Sequence, residues 1–526
     1  MWRKSLRSAS VSVIIWALVL PMGLSAQEPV DRYEVGRALP PVEDTGSLVH
    51  LSLDDAIARA LEMNLDIQSV RLNPRIQEYS IYSAEAAFRP SLSTSFSYNN
   101  SSNQSTSQLD GGSRITTQRQ SLNTSLSQTL PWYGGRLSAN FNNGRTESDN
   151  AFSTRNPSFS SSVSFSYTQP LLAGRRTDNQ RTSLLTSQIQ AEITDIQVLS
   201  QIENITNNVR TAYWSLRAAI EQIEIQRRSL AQAQELLEQN RIRVQLGTMS
   251  ELQVVQAESQ VAGAEQSLLN AEIQWRNQEL SFKRLLVDGA GDPLLRQTVN
   301  PTDLPFASEQ VVDIDAAISV ALAGRTDIVQ QRQQRDISEL NLAVTEDNAR
   351  PSLSMTTSYS LSGVGGNLFE RSGLGGEAVL VDEGGYLDAL QAISDLKTPT
   401  FSLSFSFSQP LFMNSAKANM ERARLQLRQT ELSLRAQELS IVTQVTNAGL
   451  NVRDTYLQLQ AARRSREVAE RSAEIELTRF NVGAATNYEV VQVQDALTSA
   501  RLSELRATMN HVNAIAEFER VQRVGG

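Results

Sequence analysis

Ser164-Phe165-Ser166-Tyr167-Thr168-Gln169-Pro170-Leu171 and Ser404-Phe405-Ser406-Phe407-Ser408-Gln409-Pro410-Leu411 are two versions of one phrase, 240 residues apart. In both, large apolar residues alternate with Ser or Thr, so a strand would carry one apolar and one small hydroxyl face. Phe401 and Leu403 extend the alternation in the second version and Val163 in the first; Leu92, Phe96 and Tyr98 repeat it against Ser93, Ser95 and Ser97. A barrel strand with lipid outside and water inside needs this division. An antiparallel sheet of a soluble sandwich alternates equally well, so the surrounding sequence has to decide.

Working outward, the same doubling recurs. Leu53-Asp54-Asp55-Ala56-Ile57 aligns with Ile314-Asp315-Ala316-Ala317-Ile318, and Arg89-Pro90-Ser91-Leu92-Ser93 with Arg350-Pro351-Ser352-Leu353-Ser354, both at an offset of 261. Arg243 to Gly247 aligns with Arg479 to Gly483, and Val254-Val255-Gln256 with Val490-Val491-Gln492, at 236. Falling offsets mean that the second copy is shorter in its variable parts. The chain reads as a tandem duplication. The expected layout is a signal peptide (1–26), an N-terminal segment (27–50) and a first repeat (51–287) with strands over 91–169 and a helical hairpin over 177–287. A linker (288–310) leads to a second repeat (311–526) with strands over 352–409 and a hairpin over 416–521.

From Thr177 to Leu246 there is neither Pro nor Gly, and Val209, Leu216, Ile223, Leu230, Leu237 and Val244 recur every seven residues. That is a coiled-coil seam. Such a helix would run roughly 105 Å, far beyond a globular domain. Gly247-Thr248-Met249-Ser250 breaks it before a second helix from Glu251 to Val287, and Gly483-Ala484-Ala485-Thr486 does the same in the second copy. Long helices, an export signal and Ser/Asn/Gly-rich loops around the strands favour a membrane barrel over a sandwich.

Arg3, Lys4 and Arg7, the apolar run Val11 to Leu20, and Leu24-Ser25-Ala26 before Gln27 form the expected signal peptide. No later run of 18 apolar residues exists, so any membrane span has to be built from strands. The chain has no Cys and only two histidines, His50 and His511, which removes thiolate chemistry and His-rich metal clusters. A net charge of −9 argues against nucleic acid as a partner. No catalytic, cofactor or metal residues are expected.

The duplicated unit, with Leu-Asp-x-Ala-Ile openings, Arg-Pro-Ser-Leu before a strand, Gln-Pro-Leu after one and an Arg-x-x-x-Gly break, resembles the TolC-type outer-membrane efflux channels from about Leu51 to the end. The resemblance implies an α+β membrane protein: a homotrimer whose transmembrane β-barrel continues into a long periplasmic α-helical coiled-coil barrel. It implies a passive conduit, the exit duct of a tripartite efflux or type I secretion system, surrounded by outer-membrane lipid. Partners would be a periplasmic adaptor and an inner-membrane transporter of RND, ABC or MFS type. It places Leu246, Gly247, Thr248, Val482, Gly483 and Ala484 at periplasmic tips where the adaptor docks. The family's gate acids correspond to Glu489, Gln492 and, in the first copy, Gln253; its bridging Arg is replaced by Ala485. An exported trimeric coiled-coil adhesin would explain the heptads without the strands, and a single-chain porin the strands without the helices.

Other features take a plainer reading. Gly363-Val364-Gly365-Gly366 and Gly373-Leu374-Gly375-Gly376 lack a following phosphate-binding signature and read as outer-loop filler. Trp132 and Tyr133 read as anchors at a barrel rim, and His511 as a packing or surface residue. Pro90 to Pro170 is 21 residues longer than Pro351 to Pro410. The excess contains alternating runs Leu122–Leu130 and Arg136–Asn143 around a tight turn, Pro131 to Gly135, while Asn99–Ile115 reads as an outer loop. That predicts six strands per protomer, or else four with a short ribbon outside the wall.

Overall fold

A computed structural model describes residues 35–41, 47–105, 112–306, 308–373, 376–409 and 411–522. The expected signal peptide lies outside these residues. The first half runs β1 (Leu48–Leu51), α1 (Leu53–Met63), α2 (Leu65–Val70), α3 (Asn73–Ala86), β2 (Ser91–Gln104), β3 (Arg114–Thr129), β4 (Arg136–Ser148), β5 (Ser158–Pro170), α4 (Asn179–Gln245) and α5 (Glu251–Leu286). The second runs β6 (Thr298–Pro301), α6 (Ile314–Gly324), α7 (Thr326–Asn348), β7 (Ser352–Gly365), β8 (Leu368–Arg371), β9 (Ala378–Asp382), α8 (Tyr386–Ser394), β10 (Pro399–Ser408), α9 (Ser415–Asn481) and α10 (Asn487–Gln522). The long helices α4 and α9 are both 67 residues, and α5 and α10 both 36. No described helix is long and apolar enough to cross a membrane.

The helices form two tiers. In one, α5 packs on α4, α4 on α10 and α10 on α9; in the other, α3 packs on α4, α4 on α7 and α7 on α9. Side chains explain the arrangement: Val209, Leu216 and Ile223 of the heptad seam are fully buried, and Trp275, Phe282 and Leu286 of α5 close over the same core. A two-stranded parallel ladder, β1 with β6, braces this core. Tyr213 ties it to α4 by donating to Asp303 Oδ2 at 2.9 Å. Each long helix starts on a side-chain cap, Asp178 for α4 and Asn414 for α9.

One antiparallel sheet carries six strands in the order β10-β7-β5-β4-β3-β2. Both β3 and β4 are integral to it, so the segment from Leu122 to Asn143 belongs to this sheet and not to a separate ribbon. Three local expectations are corrected. Strand β2 runs to Gln104, and β3 begins at Arg114, so the loop expected over Asn99–Ile115 is much shorter; Asn, Ser, Gln and Thr continue the ladder where apolar alternation fades. Gly363 and Gly365 are not loop filler. A Cβ at Gly363 would lie 1.9 Å from the Ala389 carbonyl oxygen, and one at Gly365 2.0 Å from that of Gly385, so both are the seat of α8. Finally, the linker after α5 contains β6, which four residues in a Pro-bearing stretch did not signal.

Candidate functional site

The register joins side chains into rows that cross the whole sheet. Ser91, Ser127, Ser138, Ser166, Ser358 and Ser402 stand side by side, one from each strand. Hydroxyl contacts link them in pairs: 2.9 Å for Ser91 with Ser127, 2.6 Å for Ser138 with Ser166 and 2.7 Å for Ser358 with Ser402. The next row is Ser93, Ser125, Asn140, Ser164, Ser360 and Thr400. Between Arg136 at one end of this face and Arg119 at the other, no position is charged. On the opposite face the row is Leu92, Leu126, Ala139, Phe165, Tyr359 and Phe401. Leu92, Phe96, Phe165, Phe401 and Phe405 are all exposed. An apolar face six strands wide is not compatible with water on that side, and lipid satisfies it. The outer strands β2 and β10 each leave an unpaired edge, which needs a partner strand.

At the far end of the long helices the chain reverses twice. Gly247 (φ +73°) and Gly483 (φ +77°) both adopt the left-handed conformation. Thr248 N–H returns to Arg243 O at 2.9 Å, and Ala484 N–H to Arg479 O at 2.8 Å, so both helices end in the same Gly-terminated cap. Nothing lies within 4 Å of a Cβ at either glycine. The constraint at both glycines is therefore the backbone angle, and the surroundings are open. Leu246 and Val482 project outward, 72% and 76% exposed, and Thr248 and Ala484 are exposed beside them.

Glu489 lies in the first turn of α10. Its carboxylate accepts from Thr486 N–H at 2.7 Å and Thr486 Oγ1 at 2.9 Å, while Glu489 N–H donates to Thr486 Oγ1 at 3.3 Å. This is a capping box. The backbone bond from Thr486, then that from its hydroxyl, holds the Glu489 carboxyl below the ordinary carboxylate range. Gln492 is exposed on the same helix, and Gln253 is half-buried on α5. Ala485 packs beside the small cluster of Leu236, Phe480 and Val490.

Two residues that sequence reading passed over join the tips. Arg243 Nη1 donates to Phe480 O at 3.1 Å, and its guanidinium covers the Phe480 ring. Asn240 Nδ2 donates to Asn487 Oδ1 at 2.9 Å in a buried position. The spacing of Arg243 and Arg479 was visible, but their partners are not local. Trp132 and Tyr133 occupy the turn between β3 and β4, 61% and 58% exposed. His511 is buried, hydrogen-bonded to Thr455 and to Ser308 O.

Comparison with known proteins agrees with this architecture. The Campylobacter jejuni CmeC outer membrane channel superposes with a TM-score of 0.63 at 14% identity, covering 90% of this chain and 86% of that one. The outer membrane protein VceC of Vibrio cholerae gives 0.64 at 11% identity, over 89% and 95%. The open state of the Neisseria gonorrhoeae MtrE outer membrane channel gives 0.59 at 17%, over 90% and 89%. At these identities the likeness is one of fold. No curated protein matches the chain. The family profile of outer membrane efflux proteins matches residues 136–286 and 317–521, most of the chain, and on that match the chain belongs to the outer membrane efflux protein family, channels of the TolC type and not enzymes.

Proposed function

We propose that the chain is the exit duct of a tripartite efflux or type I secretion system, working as a homotrimer of tandemly duplicated protomers. The observation that carries this is the six-stranded sheet with one lipid-compatible face, one hydroxyl face and two open edges. Pairing β10 of one copy with β2 of the next satisfies both edges, and three copies close an eighteen-stranded barrel. Barrel diameter grows roughly in proportion to strand number, and sixteen to eighteen strands leave an aqueous channel. A twelve-stranded wall would enclose only about two-thirds of that diameter.

The helices extend the duct into the periplasm, and their exposed tips at Leu246–Thr248 and Val482–Ala484 receive the hairpins of an adaptor protein, which links the duct to an energised inner-membrane transporter. Glu489, with Gln492 and Gln253, lines the narrow end, where three-fold symmetry would turn one carboxylate into a ring of three. A lock made by Arg–acid bridges has less support here, because Glu489 is engaged by Thr486 and the bridging position is Ala485.

Mass measurement in mild detergent, combined with single-channel recording, tests the duct. A stable trimer that conducts ions supports it; a folded, non-conducting monomer overturns it. Docking is tested separately with Gly247→Glu and Gly483→Glu, which should leave trimers in the membrane and reduce adaptor cross-linking several-fold. Unchanged cross-linking would remove the tips from the interface.

A further inference from the structure

The turn that carries Trp132 and Tyr133 does more than mark a rim. It folds back beneath the apolar face of the sheet: Gln169 Nε2 donates to Tyr133 O at 2.7 Å, and a Cβ at Gly135 would meet the Tyr167 hydroxyl at 2.9 Å. Gly134 sits against the β5–α4 connection, where a Cβ would lie 2.5 Å from Gly174 O. Between the turn, that connection and the end of α7 is an open cleft of about 800 Å³, lined by Trp132, Tyr133, Leu172, Arg175, Arg176 and Arg350 among others.

The charge in this cleft is one-sided. The nearby acids are already engaged: Asp178 pairs with Arg181 at 2.6 Å, and Asp347 accepts from Gly174 N–H at 2.6 Å and faces Arg350 at 3.3 Å. Arg175 and Arg176 are exposed without a carboxylate partner among the described residues. Arg175 is held with its guanidinium 5.5 Å from the centre of the Tyr133 ring, a cation–π arrangement that fixes it without neutralising it. Directly above, the apolar face has a trough of about 430 Å³ bordered by Leu126, Leu137, Ala139, Phe165 and Tyr167. Ala139 is the one small residue in its row, and it lines the trough. Tyr167 borders the trough, and its hydroxyl would lie 2.9 Å from a Cβ on Gly135 in the turn, so this one residue lies against both the trough and the turn that lines the cleft.

A pair of guanidiniums without carboxylate partners beside an interfacial Trp and Tyr, with an apolar trough on the other side of the turn's Tyr167 contact, matches one kind of ligand. Guanidinium recognises phosphate by paired hydrogen bonds, the aromatics sit at head-group depth, and the trough accepts an acyl chain. We propose that this cleft binds an anionic glycerophospholipid of the periplasmic leaflet, of the phosphatidylglycerol or cardiolipin class, with its phosphate on Arg175 and Arg176 and one chain over Ala139. The inference rests on the membrane-barrel reading, which places this end of the sheet at that leaflet.

Native mass spectrometry of the full trimer in detergent tests it, with dioleoyl phosphatidylglycerol, the matching phosphatidylcholine and inorganic phosphate as probes. Phosphatidylglycerol should be retained about tenfold better than phosphatidylcholine, given two arginines at the membrane surface. Arg175→Gln/Arg176→Gln should abolish that preference, Arg175→Lys/Arg176→Lys should keep part of it, and inorganic phosphate should not displace the lipid. If the double Gln variant does not form trimers, Arg176→Gln alone carries the test. An unchanged preference in a trimeric Gln variant overturns the site, and complete displacement by phosphate overturns the lipid assignment. Absence of any bound lipid in a soluble monomer would instead overturn the barrel reading beneath it.

Discussion

The guanidinium carbon of Arg243 lies 4.0 Å from the centre of the Phe480 ring, joining the tip of the first long helix to the tip of the second. The two residues are 237 positions apart. Phe480 is itself buried with Leu236 and Val490, so the contact holds the two hairpins together at their tips. Removing the guanidinium should therefore loosen the tips and leave the barrel alone. Arg243→Ala is expected to cost about 1–2 kcal/mol locally. Hydrogen exchange over residues 236–250 and 476–490 should accelerate roughly tenfold, with trimer yield unchanged.

The buried pair Asn240 and Asn487 should show the asymmetry of unsatisfied polar groups. Either single substitution to Leu leaves a buried amide without its partner, at a cost of about 1–3 kcal/mol, whereas the double Leu variant should be milder than the sum. Exchange protection of the tips in the three variants measures this; strict additivity would show that the pair does not interact.

Glu489 makes the tip sensitive to acid. Its folded pKa lies below the ordinary 4.5, so the cap on α10 is at full strength above that value and is lost as pH falls through the folded pKa. Amide exchange, corrected for intrinsic pH dependence, should show the start of α10 fraying as pH is lowered from 7 to below 4. Glu489→Gln can still cap and should show no such transition.

Much of this could be read along the chain because the signals are periodic. A seven-residue repeat without Pro or Gly marks α4, and alternating Ser and aromatic residues mark β5 and β10. The capping box at Thr486 and Glu489 is also a local pattern, a Thr followed three residues later by a Glu. What escaped depends on contacts between distant residues. Helix α8 has only nine residues inside a Gly-rich stretch, and the reason for Gly363 is visible only once Ala389 lies against it. Strand β2 beyond Tyr98 has no apolar alternation, so its length is set by pairing with β3. The arginine cleft gathers residues from the β3–β4 turn, the β5–α4 connection and the end of α7, which no spacing rule connects.

Packing of α8 gives a further test. Gly363→Ala would drive a methyl group into the Ala389 backbone, and overpacking of this kind costs about 1–3 kcal/mol. The thermal midpoint should fall. Tyr386, already exposed but held by its hydroxyl donating to Asn143 at 2.7 Å, should be nitrated faster as that hydrogen bond is lost. Neither should follow from Gly373→Ala beyond its own backbone strain, since nothing lies within 4 Å of a Cβ there.

Closure of the barrel between copies is the claim on which the rest depends, and the absence of native cysteine makes it directly measurable. Single cysteines at Ser93, Ser95 or Ser97 of β2 combined with single cysteines at Ser402, Ser404 or Ser406 of β10 place both thiols on the hydroxyl face. Within one sheet these strands are separated by five strand spacings, about 24 Å, too far for a disulfide. Neighbouring antiparallel strands bring facing Cα atoms to about 4.5–5.5 Å. Oxidation in membranes should convert at least one combination into a covalent trimer on a denaturing gel. Cross-links confined to monomers, or none in any combination, would contradict an eighteen-stranded barrel shared by three copies.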